Sequence, residues 1–352
     1  MSGGITQLVA VGAQDAHLVG KPEVSFFQSV YKRHTNFSHV VERQLIQGNV
    51  SNGGISTIRF ERKGDLLSYV YLAPHTTSAP LTAASVSDWS TVIDKVELLI
   101  GGQVIDEQTA EFSQFLAADL FAQNYAKSPA AGHYPSENSA SYFYPLRFFF
   151  CENWQSSIPL VALQYHDVEI RITWGNSATS YNWQCYGNFI YLDTEEREMF
   201  VGKEHNMLIH QVQKATGSQT KIQELNFNHP IKFLASSNVT STTNPLCSFS
   251  NKIKLQINGT DVADYKFASP HFTQVATYYH SPYATNNDAD SRFIYPFCLE
   301  TSKLQPTGTL NFSRLDTARI LSESEVFTEN VYAVNYNILK ISNGMGGLMY
   351  AN

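Results

Sequence analysis

The chain has 352 residues, of which 43% are hydrophobic, 13% aromatic and 16% charged, with a net charge of −7. That is the composition of a folded protein long enough for two cores, and it excludes a disordered chain. The longest cationic run is Lys32-Arg33-His34, so direct, sequence-independent binding of nucleic acid is disfavoured.

Taken in chain order, Met1 to Pro22 carries little strand pattern. Its stretch from Gly3 to Leu18 has no basic start and is broken by Gln7, Gln14 and Asp15, unlike a signal peptide. Ser2 fails the myristoylation pattern. No apolar run approaches the ~18 residues that would span a bilayer, so the expectation is a soluble chain made in the cytosol. Val24 to Tyr31 sets Phe27, Val30 and Tyr31 on one side of a short helical pattern, an extended arm being the alternative.

From Ile55 onward, alternating β-branched and aromatic segments are separated by Gly, Pro, Asn and Ser clusters, which predicts an all-β sandwich or barrel. Lys95 to Asp106 (KVELLIGGQVID) reads as strand, tight turn and strand. A helix is expected between Thr109 and Lys127, where Phe112, Phe115, Leu116 and Leu120 recur at helical spacing, and its expected role is to cap one core. The segment Tyr142, Phe143, Tyr144, Phe148, Phe149 and Phe150 is assigned mostly to the core, the remainder being available for subunit contacts. His166 to Trp174 alternates cleanly, with Val168, Ile170, Ile172 and Trp174 on one face. Asp193 to Phe200 (DTEEREMF) is charged and without alternation, and reads as the linker between halves. Tyr332 to Ile341 is apolar on both faces, as a strand covered on both sides or lying at an interface would be. Asn343 to Gly347 reads as a flexible turn. The loops His75–Ser90, Asn124–Ser141, Ser236–Ser250 and Tyr283–Ser291 are Ser-, Thr-, Asn- and Pro-rich, too polar to pack and long for hairpin connections.

The Lys95 hairpin recurs as Lys252 to Asp264 (KIKLQINGTDVAD). Sliding one copy over the other sets Val96, Leu98 and Ile100 on Ile253, Leu255 and Ile257, while Glu97 falls on Lys254. The apolar face is kept because a one-residue slip would turn every core side chain outward. Gly101-Gly102 and Asn258-Gly259 supply the positive φ of a two-residue hairpin turn. Flanking landmarks keep their order: Ile58 to Phe60 and Leu66 to Tyr69 match Leu225 to Phe227 and Ile231 to Leu234, and Tyr144-Pro145 with Pro159 match Tyr295-Pro296 with Pro306. Two copies of one domain are expected. The repeat is far longer than the roughly 20–50 residues of solenoid or propeller units.

Motifs that carry chemistry are missing. There is no HExxH, GxSxG, GxGxxG or phosphate-binding GxxxxGK loop. The histidines are scattered, and no metal site or cofactor is expected. Cys151, Cys185, Cys247 and Cys298 form no CxxC pair and read as reduced, mostly buried thiols. Asn36, Asn49, Asn238, Asn258 and Asn311 match the glycosylation pattern; chance in a Ser/Thr/Asn-rich chain accounts for such matches where no signal peptide is seen, and they stand as candidate positions only.

Several segments nevertheless resemble a known family. Gly3-Gly4-Ile5-Thr6-Gln7-Leu8-Val9-Ala10-Val11-Gly12-Ala13-Gln14-Asp15, with Tyr31-Lys32-Arg33-His34-Thr35-Asn36-Phe37, resembles the start of major capsid proteins of large icosahedral double-stranded DNA viruses of eukaryotes, the phycodnavirus and iridovirus group. Ala162-Leu163-Gln164-Tyr165-His166 and Tyr191-Leu192-Asp193-Thr194-Glu195-Glu196-Arg197 look like the end of that family's first domain. Gln305-Pro306-Thr307-Gly308-Thr309-Leu310-Asn311-Phe312-Ser313-Arg314 and Tyr332-Ala333-Val334-Asn335-Tyr336-Asn337 look like its second. The resemblance spans nearly the whole chain. It implies a double jelly roll of two eight-stranded antiparallel sandwiches with short helices in the connections. The expected division is an N-terminal arm over 1–24, a first jelly roll over 25–199 and a second over 200–352. It further implies a non-enzymatic virion subunit, made and assembled in the host cytoplasm. Its partners would be itself as a homotrimer, neighbouring capsomers, minor capsid and penton proteins, and an internal viral membrane beneath the shell. A jelly-roll protein that binds or cleaves glycans, and a minor capsid protein, are the alternatives; the internal repeat weighs against the second.

Overall fold

A computed structural model describes residues 3–128, 140–238, 244–282 and 292–351. The chain divides into two units, Met1–Asn36 and Phe37–Asn352. The first unit holds a helix Gly3–Val9, a 3-10 turn Ala13–Asp15 and a short helix Ala16–Val19. Val24 to Tyr31 is not helical and passes through a turn at Phe26-Phe27. Three apolar residues on one side of an eight-residue stretch do not offset the cost of nucleating so short a helix without a packing surface.

The second unit begins with ten strands: β1 (Phe37–Gln44), β2 (Ile46–Gly48), β3 (Ile55–Arg59), β4 (Leu66–His75), β5 (Ile93–Ile100), β6 (Gln103–Thr109), β7 (Tyr144–Pro145), β8 (Ile158–Pro159), β9 (Val168–Trp174) and β10 (Asn182–Leu192). They make two facing sheets, one in the order β1-β10-β4-β7 with β8 also on β4, the other β2-β3-β9-β5-β6. Then come β11 (His205–Ala215), β12 (Ile222–Glu224), β13 (Pro230–Ser237), β14 (Lys252–Ile257), β15 (Thr260–Asp261), β16 (Lys266–Phe267), β17 (Arg292–Pro296), β18 (Leu310–Asn311), β19 (Ala318–Ser322), β20 (Val331–Ser342) and β21 (Met345–Leu348). These repeat the arrangement as β11-β20-β13-β17, with β18 on β13, and β12-β19-β14-β15. The fold is a double jelly roll, each roll two antiparallel sheets around its own core.

The duplicated hairpin holds in register. Ile100 lies opposite Gln103 and Val168, and Ile257 opposite Thr260 and Ala318. Gly101 and Gly102 have φ of 58° and 81°, Asn258 and Gly259 48° and 77°, the positive pair that matches strand twist in a two-residue turn. Tyr144 pairs with Leu72 as Tyr295 pairs with Leu234. The upstream match does not hold residue by residue: Ile158 pairs with Leu67 and Leu310 with Ile231, so Leu67 rather than Leu66 corresponds to Ile231, and Leu72 rather than Tyr69 corresponds to Leu234. Pro159 lies within β8 whereas Pro306 precedes β18.

Other expectations change where a local pattern met a tertiary surface. Asp193–Phe200 is largely helix, Thr194–Gly202, started by Asp193, whose side chain accepts from the Thr194 N–H; Glu195 and Glu196 sit at its positive end. The His75–Ser90 loop is not merely polar, since Trp89 and Val86 are buried in the first core. Likewise Leu246 and Cys247 of the Ser236–Ser250 loop enter the second. Much of the Asn124–Ser141 loop, part of Ser236–Ser250 and all of Tyr283–Ser291 lie outside the described residues. Asn343 to Gly347 is the turn of the β20-β21 hairpin and is docked on the first roll: Tyr165 N–H donates to Gly344 O at 2.9 Å, and His166 Nδ1 lies 2.8 Å from Gly346 O. A Cβ on Gly346 would come within 2.8 Å of the Leu163 side chain, so close approach explains the glycine.

Candidate assembly surfaces

The expected helix forms as a wide π turn, Phe112–Ala117, continued by Ala118–Leu120. It does not cap one core. Phe112, Leu116, Ala117, Leu120 and Phe121 pack against Phe233, Ala235, Ile294, Tyr332 and Val334 on the outer face of the second roll's β11-β20-β13-β17 sheet. The Phe112 and Tyr332 rings are 5.3 Å apart and Phe121 and Phe233 6.4 Å. Each such ring contributes roughly 1.5–3 kcal/mol by leaving water. This contact also explains β20, which is apolar on both faces because Ala333 serves the second core and Tyr332 and Val334 the seam.

Polar groups fix the seam's register. Tyr332 OH and Asn330 Nδ2 donate to the Glu111 carboxylate at 2.7 and 2.9 Å. Arg292 of β17 pairs with Asp119 and donates through Nε to Phe115 O at 2.6 Å, with both charged groups buried. Asp106 on β6 accepts from Val212 N–H at 2.9 Å and Gln108 Nε2 at 2.8 Å. Burial pushes its carboxyl up to about 7 against those donors. Nearby, burial and then Lys232 hold the His210 imidazole down to about 4. Burial lowers Lys232 to about 8, while its ammonium donates to Lys303 O at 2.8 Å.

Among the described residues, the matching sheet of the first roll has no such helix over it. On its outer face Tyr71 stacks on Tyr186 at 5.2 Å and meets Phe143 edge-on at 6.1 Å, all three half-buried. Beside them Tyr69, Pro145 and the 57% exposed Trp154 line a largely apolar cleft of about 600 Å³. Of the aromatic segment, Tyr144, Phe148, Phe149 and Phe150 belong to the first core, and Tyr142 is exposed. On the second roll, the segment Ala268–Val275 and the helix Ala276–His280 leave Tyr278 and Tyr279 79% and 72% exposed.

Comparison with known proteins decides what these surfaces belong to. Residues 25–193 match the family model described as the major capsid protein N-terminus, and residues 196–347 the one described as the large eukaryotic DNA virus major capsid protein. The chain is 34% identical to the major capsid protein of Pyramimonas orientalis virus and 30% identical to that of Paramecium bursaria Chlorella virus 1, each over the full length of both chains. It belongs to the major capsid proteins of large eukaryotic DNA viruses. In structure, a chain of the PBCV-1 virus capsid superposes with a TM-score of 0.75 at 27% identity, covering 93% of this chain and 100% of that one. The Faustovirus major capsid protein, at 11% identity, has a TM-score of 0.63 over 94% of each chain and so shares the fold.

This capsid protein uses three of its sequon asparagines structurally. Asn258 Oδ1 accepts from Asp316 and Thr317 N–H at 2.9 and 3.0 Å, Asn311 Oδ1 accepts from Ser313 N–H at 3.0 Å, and Asn238 Oδ1 accepts from Asn244 N–H at 2.6 Å. Asn36 and Asn49 are exposed. The five are dispersed and form no joint site. Among the described residues no three His, Cys, Asp or Glu side chains are grouped to hold a metal ion, and no helix is long and apolar enough to cross a membrane. No disulfide joins the four cysteines, and burial raises the Cys151 and Cys185 thiols, the latter to about 12, which keeps them protonated and unreactive. The seam itself was missed in the sequence. Its signal is there: Phe112 to Ala122 is apolar around much of the helix, as two-sided burial requires.

Proposed function

We propose that this capsid protein acts as a homotrimer whose six similar rolls give a pseudo-hexagonal capsomer, the tile of an icosahedral shell. The observation that carries the reading is the repeated sheet order, β1-β10-β4-β7 and β11-β20-β13-β17, with the first roll's helix seated on the second roll's sheet. Two near-equivalent wedges per chain turn threefold symmetry into a sixfold outline, which tiles a surface. The working division is an arm over 1–24 and rolls over 25–199 and 200–352.

Function then rests on contact, not turnover, and no catalytic residue is assigned. Neighbouring capsomers, minor capsid and penton proteins are the partners in the virion shell. The arm, whose Phe26 and Phe27 are 94% and 99% exposed, is the element offered to neighbours or to a membrane beneath the shell. Asn36 and Asn49 are the sequons best placed for modification, since both are exposed and the other three hold local backbone turns.

Electron microscopy and light scattering of the purified protein test this. Threefold particles with hexagonal outlines and a mass three times that of one chain are expected; a monomer at every concentration overturns it. Deleting residues 1–22 should leave folded trimers that fail to form shells, and normal shells would remove the arm from assembly.

A further inference from the structure

The two rolls can be compared residue by residue through their strand pairing. Lys95 opposes Thr109 as Lys252 opposes Phe267, and Val96 opposes Gln108 as Ile253 opposes Lys266. The segments that follow therefore run in step, with Ala110 matching Ala268 and Ala118 matching Ala276, all four buried. Along this alignment Phe112, Leu116, Ala117, Leu120 and Phe121 are the residues covered by the second roll's sheet. Their counterparts Pro270, Gln274, Val275, Tyr278 and Tyr279 are all exposed. Every position that the first helix commits to its neighbour is uncovered in the second.

The sheets show the complementary half. Tyr71 opposes Pro145 and Tyr186 as Phe233 opposes Pro296 and Val334. Hence Tyr71, Ala73 and Tyr186 occupy the places of Phe233, Ala235 and Val334. The latter three are at most 1% exposed under the first roll's helix. The former three are only half-buried. Each chain thus carries one satisfied helix-on-sheet contact and the two unsatisfied halves of another.

We propose that the 268–280 helix of one copy seats on the outer face of the β1-β10-β4-β7 sheet of the next copy, repeating between chains the contact that the 112–120 helix makes within one. This rests on the capsomer reading and assigns its interface. The contact is heterologous, so repetition either closes a ring or runs on as a filament; six rolls close it after three chains. Tyr279 takes the place of Phe121, and its partner is Tyr71 of the neighbouring copy, where Phe121 has Phe233. The change from Leu120 and Phe121 to Tyr278 and Tyr279 suits a surface that meets water before assembly, because a tyrosine keeps its apolar ring yet carries a hydroxyl.

Two variants of the full chain test the assignment. Tyr278→Asp with Tyr279→Asp should lower the mass threefold, from trimer to monomer, with an unchanged circular dichroism spectrum; a folded double variant that remains trimeric overturns the proposal. Independently, Tyr71→Cys combined with Tyr279→Cys should give covalent dimers and trimers with a short bismaleimide, at least tenfold above either single variant. Trimers that stay unlinked overturn it. A parent chain that is monomeric throughout overturns the capsomer reading itself, which separates the two failures.

Discussion

The 112–120 and 268–280 segments follow equivalent hairpins and carry alanines at the same inward places, yet one is covered on both sides and the other on one. Leu120 and Phe121 face a roll held permanently alongside by the chain. Tyr278 and Tyr279 face solvent in the single chain. Duplication therefore conserves the face that builds each core and frees the face that chooses a neighbour. A permanent neighbour admits purely apolar contact, whereas a neighbour met by diffusion requires a face that stays soluble beforehand.

The sharpest way to break this comparison is to place the same charge at equivalent positions. Leu120→Asp buries an unpaired carboxylate in the seam and should cost on the order of 4 kcal/mol, seen as loss of folded protein or a collapsed denaturation midpoint. Tyr278→Asp should leave that midpoint of the single chain unmoved. Equal effects would show that the two helices do not differ in this way.

Next in size is the buried pair. Arg292→Met removes the guanidinium that faces Asp119 and should cost about 3–5 kcal/mol in urea unfolding, most of it recovered when Asp119→Leu is added. A third test uses pH. Asp106 is raised from 3.8 to about 7 in the fold, so the folded state holds a proton that the unfolded chain has lost, and stability falls as pH rises across that window. His210 is lowered from 6.5 to about 4. Here the unfolded chain holds the extra proton, and stability rises between those values. The slopes oppose each other in the parent. Asp106→Asn should leave the His210 slope alone, a gain on the order of 2–3 kcal/mol on going from pH 4 to 6.5, read from denaturation at each pH.

The smallest effect separates the duplicated hairpins. Glu97 is buried on its sheet between Lys95 at 3.2 Å and Arg171 at 3.3 Å. Glu97→Ala should cost about 1 kcal/mol. Lys254 pairs with Asp261 at 2.6 Å in a solvated setting, and Lys254→Ala should not measurably move the unfolding midpoint. Both charged faces are thus occupied by their own sheet's partners.

The repeated hairpin was legible because its determinants are local: apolar residues every second position and a turn that needs positive φ at two residues. The strand His166–Trp174 was legible for the same reason, and so was the two-sided cover implied by the apolar pattern of Tyr332–Ile341. The charged Thr194–Gly202 segment was not, since its helix depends on the Asp193 cap and the acidic first turn more than on an apolar stripe. Trp89 was hidden in a polar loop, because the rings it packs on, Tyr144 and Trp183, are distant in sequence. Asn343 to Gly347 looked flexible because glycine permits motion in isolation; against Leu163, Ile100 and Tyr165 it permits close approach instead. The sequon asparagines were candidate positions by triplet alone, with chance the favoured account, and the triplet carries no trace of the backbone donors from which Asn258, Asn311 and Asn238 accept.

By itself the sequence determined two jelly-roll units of the major capsid family, their hairpin register and the residues that must leave water. Only the tertiary structure decided what those residues meet. The apolar positions of the first helix demand burial wherever they are, but a demand for burial is non-directional. It took the packed seam, with Glu111, Asp119 and Arg292 fixing its register, to assign that helix to the second roll and to show its duplicate still uncovered.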